Sequence, residues 1–115
     1  MNNKYYQALQ AIKTSINNIE NFVGSPKSFE SYDSNLLVQA AVERNLEIIG
    51  EATKRLLDIN PAIAISNTRS IINTRNKISH GYDEIENLQI WEIIINHLPT
   101  LKTEIENLIN DGINI

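Results

Sequence analysis

From Lys4 to Val23 the apolar residues Tyr5, Leu9, Ile12, Ile16, Ile19 and Val23 recur at alternating steps of four and three, a single stripe on one helix. Gly24-Ser25-Pro26 ends that pattern, a left-handed cap followed by a residue that cannot extend a helical ladder. Ser28 to Tyr32 reads as a short helical turn. Ser34 then offers an N-cap to a long segment running to about Leu57, with Leu37, Ala40, Ala41, Leu46, Ile48, Ile49, Ala52 and Leu56 as its apolar positions. Gly50 inside it costs about 1 kcal/mol of helix propensity relative to Ala, which points to close helix packing there. Asn60-Pro61 breaks the chain again. Ser66 or Asn67 can cap a fourth helix that carries Arg69, Ile71, Ile72, Arg75 and Ile78 and stops at Gly81. A fifth begins near Asn87 and holds Leu88, Ile90, Trp91, Ile93, Ile94, Ile95 and Leu98. Its apolar arc is too wide for one buried face, so it is either sandwiched in the core or covered by a partner subunit. Pro99 fits the first turn of a final helix to about Asn110. No strand pattern or repeat interrupts this series. The pattern predicts an all-α, up-and-down bundle of about five helices forming one domain over residues 1–115.

Composition narrows the chemistry. The chain has no cysteine, which excludes disulfides, thiolate metal sites and cysteine nucleophiles together. No segment has the apolar length of a membrane span, and Met1-Asn2-Asn3-Lys4 leads into a polar helix instead of a signal-peptide core; a cytoplasmic protein with no membrane association is expected. A formal net charge of −4 argues against non-specific coating of nucleic acid. Between Asp58 and Asp83, however, Arg69, Arg75 and Lys77 stand without a single acid. Such a basic island suits a phosphate.

Within it lies Arg75-Asn76-Lys77-Ile78-Ser79-His80-Gly81-Tyr82. Arginine brings a permanent charge and a planar donor fork, and histidine exchanges a proton near neutral pH. Five residues apart on a helix, Arg75 and His80 point about 140° apart and are separated by roughly 7.5 Å of rise, so they do not automatically share a face. A helix end at His80, with Gly81 permitting a left-handed turn, could re-aim them. The same residues also make an ordinary helix terminus, with last-turn cations complementing the dipole and glycine as the stop. Arg69 reads as a solvated surface charge and His97 as a packed or capping histidine. Neither histidine has a ligand-like neighbour in the basic island, so no metal or other cofactor is expected.

The order Arg, polar residue, three positions, His, one position, Tyr resembles the signature of HEPN-domain proteins, specifically the HepT-like toxin ribonucleases paired with a minimal nucleotidyltransferase (MNT) antitoxin. The block from Ala41 to Ala52, Trp91 with its following aliphatics, and Leu98-Pro99-Thr100-Leu101 resemble that family in the same order, so the resemblance spans nearly the whole chain. It implies that Arg75 and His80 are catalytic, that Asn76 orients them, and that Tyr82 receives AMP from the nucleotidyltransferase. Lys77, Arg44 and Glu51 are the remaining candidates for supporting roles. Arg44 and Glu51, seven residues apart on one helical face, either line the same site or pair with each other inside the bundle.

A ribonuclease that uses no metal can employ the 2′-hydroxyl of its RNA substrate as nucleophile, given a base, an acid and a cation for the phosphorane. One protomer offers one well-placed histidine, and a homodimer offers two Arg75 and two His80 to one groove. The competing expectation is a non-catalytic helical module that binds nucleotide or RNA while a partner nucleotidyltransferase does the chemistry.

Overall fold

The computed structural model describes residues 3–80 and 85–113. Among these residues every regular element is helical. They are α1 (Asn3–Val23), α2 (Phe29–Asp33), α3 (Leu36–Ile59), α4 (Thr68–His80), α5 (Asn87–Glu92), a π-helical turn (Ile93–His97) and α6 (Leu98–Ile113). No helix of the described residues is long and apolar enough to cross a membrane.

The α1 stripe forms as the spacing predicts. Leu9, Ile12, Ile16 and Ile19 are fully buried, and each removes an aliphatic side chain from water at a gain of about 1.5–3 kcal/mol. Gly24 takes φ +73° and donates its N–H to the Glu20 carbonyl at 3.0 Å, closing the helix with a left-handed residue. The principal packing partner of α1 is α3, and α6 covers another part of its surface.

Helix α3 starts one residue later than the pattern suggested. The Ser34 hydroxyl is engaged at the end of α2, donating to the Glu30 and Ser31 carbonyls at 2.9 and 3.2 Å. The Asn35 side chain caps α3 instead, accepting the Val38 N–H at 3.1 Å. The buried line runs through Val42, Leu46, Ile49, Thr53 and Leu56. Leu37 and Ala40, expected in that stripe, are exposed, Leu37 to 84%. They belong to the first turns of α3, on the face opposite the buried line, where none of the described residues covers them.

The expected break before Pro99 is absent. Glu92, Ile93 and Leu98 all keep right-handed helical backbone, so α5, the π turn and α6 form one continuous helical run from Asn87 to Ile113. Proline has no N–H to donate, and its ring crowds the carbonyl four residues earlier. One wider turn accommodates this, with the Leu98 N–H reaching back to the Ile93 carbonyl. His97 lies exposed on that turn and is not buried. On α5 and the π turn, Ile90 and Ile94 enter the core while Leu88 and Ile95 stay 61% and 37% exposed. The second face of the wide apolar arc therefore has no partner among the described residues.

Helix α2 is fastened to α5 by Trp91, whose ring meets Phe29 edge-on at 6.0 Å and Tyr32 at 5.7 Å, and by Asn87 Nδ2 donating to Asp33 Oδ1 at 2.9 Å. After α3, Ile63 and Ile65 bury themselves in the linker, and the Ser66 N–H and hydroxyl donate to Glu104 Oε2 at 2.9 and 2.7 Å. Asn67 follows at φ +60°, a left-handed conformation that asparagine tolerates, and its carbonyl accepts the Ile71 N–H. Ser66 thus ties the linker to α6, and the entry to α4 is turned by the Asn67 backbone. Helix α4 then lies along α3 and has no fully buried residue.

Candidate active site

Helix α4 runs antiparallel to α3, and three contacts fix its register. At Gly50 the two helices approach so closely that a Cβ there would overlap the Arg75 Cβ and sit 2.8 Å from its Cγ. One residue on, Arg75 Nη2 faces Glu51 Oε1 at 3.7 Å. A turn away along both helices, the Ser79 hydroxyl donates to Glu47 Oε2 at 2.8 Å. Glycine at position 50 is thus a packing requirement, as its cost in a helix interior suggested.

The guanidinium of Arg75 is held from two sides. Besides Glu51, its Nη1 donates to Asn76 Oδ1 at 3.0 Å, while its Nε is buried with no hydrogen-bond partner among the described residues. Its side chain remains about one-third exposed, at 34%, which leaves donors of the five-proton fork for an incoming anion. His80 is the last residue of α4 and is exposed. Arg75 and His80 stay about 140° apart around α4. Asn76 accepts from the guanidinium and stands one turn before His80, on nearly the same helical face.

Other candidates are distributed differently. Glu51 pairs with Arg75 and not with Arg44, which is exposed two turns earlier on α3. Lys77 does not join Arg75. It shares a separate groove with Arg69, Asn73 and Thr74, because two residues along a helix turn it by about 200°. Tyr82 lies outside the described residues. Sequence reasoning missed Lys54 and Arg55, which with Gly50, Glu51, Ile72, Arg75 and Asn76 line a cleft of about 210 Å³. They stand before Asp58, outside the acid-free window, and reach the motif only because α3 and α4 pack antiparallel. Their spacing one turn after Gly50 and Glu51 was the available signal.

Acids gather at the other end of this face. Burial, reinforced by the Glu47 carboxylate, pushes the Glu43 pKa up. Burial also pushes up the nearby Tyr32 phenol, with Glu43 and then Asp33 adding to the effect. Among the described residues no group of three or more His, Asp or Glu side chains could hold a metal ion.

The family model described as ribonuclease HepT-like matches residues 12–108. A Thermococcus cleftensis protein named as a candidate ribonuclease HepT is 30% identical over 112 residues, covering 94% of this chain and 98% of that protein. Two Methanocaldococcus jannaschii proteins named as candidate RNases are 36% and 32% identical over 86 and 84 residues. Those matches cover 73% and 72% of this chain and 70% and 69% of the respective relatives. No solved structure matches the chain.

Proposed function

Because the chain belongs to the HepT-like ribonuclease family, we propose that it is a HEPN toxin endoribonuclease whose catalytic residues are Arg75 and His80. The observation that carries this reading is the Arg75–Asn76 hydrogen bond, which joins the phosphate-binding cation to the helical face of the proton-transfer group. In the proposed reaction a histidine removes the proton of the 2′-hydroxyl. The 2′-oxygen attacks phosphorus, the bond to the 5′-oxygen breaks, and a second histidine protonates that leaving oxygen. Arg75 stabilises the charge that builds on the phosphorane oxygens. The products end in 2′,3′-cyclic phosphate and 5′-hydroxyl, and no metal takes part.

Two His80 side chains require two copies of the chain. A homodimer is supported by α4, which rests on α3 with no fully buried residue, and by the exposed Leu88 and Ile95. The proposed control is transfer of AMP to Tyr82 by a partner MNT nucleotidyltransferase. A phosphodiester two residues beyond His80 would compete with the RNA phosphate for the basic groove.

The test is RNA cleavage by the purified chain in EDTA, with analysis of the product ends. His80→Ala is expected to abolish cleavage while helical circular dichroism and RNA binding persist. Cleavage that depends entirely on added Mg²⁺, or that survives His80→Ala, would remove this mechanism. RNA retention without cleavage by the parent chain would favour the non-catalytic module.

A further inference from the structure

Lys54 and Arg55 lie outside the sequence motif, yet they open onto the same cleft as Arg75 and Asn76. Both are exposed, and neither makes an ion pair among the described residues. The cleft therefore gathers three cations, Lys54, Arg55 and Arg75, against one carboxylate, Glu51, on a chain whose formal net charge is −4. Glu51 is already committed to Arg75 at 3.7 Å, so it does not neutralise the two cations one turn further along α3. A concave site with surplus positive charge selects an anion.

We propose that Lys54 and Arg55 form a second phosphate subsite, holding a backbone phosphate of the RNA strand that flanks the scissile one at Arg75. This rests on the ribonuclease reading and deepens it. The four-residue step from Gly50 and Glu51 to Lys54 and Arg55 advances about 6 Å along α3, so the subsite is displaced from the Arg75 contact and not superimposed on it. The strand is thereby oriented along α3. Ile72, half-buried on the cleft wall, supplies an apolar surface between the two phosphate contacts. RNA selection at this subsite is through charge and strand direction, since backbone contacts carry no base information.

The test measures binding without cleavage. The His80→Ala protein is titrated with a fluorescent single-stranded RNA at several salt concentrations, and the slope of log K against log salt is compared with that of His80→Ala carrying Lys54→Gln and Arg55→Gln. Each phosphate no longer neutralised on a single strand lowers the slope by about 0.7, so the double replacement, which frees the one phosphate of this subsite, is expected to lower it by about 0.7. A charge-preserving pair, Lys54→Arg with Arg55→Lys, is expected to restore it. A fall of about 0.7 or more that the charge-preserving pair recovers supports the subsite; a smaller fall, or one not recovered, overturns it. If the His80→Ala protein binds no RNA, the ribonuclease reading falls and takes this inference with it. If it binds RNA with a slope indifferent to both positions, the inference alone falls.

Discussion

Gly50→Ala should separate stability from activity in this protein. The added methyl would overlap the Arg75 Cβ, approach its Cγ at 2.8 Å and lie 3.4 Å from the Ile71 carbonyl oxygen. Carbon atoms rest comfortably at about 3.5–4.0 Å, and an Arg Cβ is fixed to its backbone, so side-chain rotation cannot relieve the overlap. Helix α4 must move away from α3 by roughly 1 Å. Overpacking of this kind costs about 1–3 kcal/mol, and the gain in helix propensity from Gly to Ala returns about 1 kcal/mol. The net loss of stability is therefore between zero and about 2 kcal/mol, a fall in Tm of no more than roughly 10 °C. Because α4 buries no residue completely, the displacement is expected to leave the α1–α3 core intact. The site is less forgiving, since misplacing a reacting group by about 1 Å costs on the order of a hundredfold. Thermal melts and kcat/KM for RNA cleavage should thus diverge, the first changing modestly and the second collapsing. A variant whose kcat/KM stays within about threefold of the parent would refute the claim that the Gly50 contact sets the position of Arg75.

Three further outcomes follow from named residues. Glu43→Gln should stabilise the fold near pH 7 and have little effect near about pH 3. The raised pKa means that ionised Glu43 burdens the folded state, a burden absent while it is protonated and complete above its folded-state value; equal Tm gains at both pH values would contradict this. Tyr82→Phe should leave cleavage largely intact and make the protein resistant to silencing by a partner nucleotidyltransferase and ATP, with peptide mass spectrometry locating the AMP; an adduct elsewhere would displace Tyr82 as the target. Sedimentation should show a dimer, and an active monomer would eliminate a site that needs two copies of His80.

The candidate site was legible where its members are close in sequence. Arg75, Asn76 and His80 sit within one short run whose spacing alone also fits an ordinary helix terminus, and the family resemblance is what singles them out. Helical geometry alone places Arg75 and His80 about 140° apart. The hydrogen bond from Arg75 to Asn76 was not legible, because it depends on a rotamer that periodicity does not encode. The partner of Glu51 was likewise chosen by packing. Arg44 shares a helical face with Glu51, but α4 brings Arg75 to it from outside that helix.

What the sequence by itself determined is the set of helices and most of the faces they bury. Apolar spacing is a local property, and the steps of four and three from Tyr5 to Val23 or the Gly24 stop require no knowledge of the remaining chain. The tertiary structure decided the rest. It carried one helix through Pro99, because a π turn costs less than breaking a segment whose Ile90, Ile94 and Leu98 all reach the same core. It left Leu37 exposed, because the buried face of α3 runs through Gln39, Val42, Leu46, Ile49, Thr53 and Leu56, and position 37 points about 140° away from Val42. It also set Lys54 and Arg55 beside Arg75, about twenty residues away along the chain, because the missing side chain at Gly50 allows α3 and α4 to meet there.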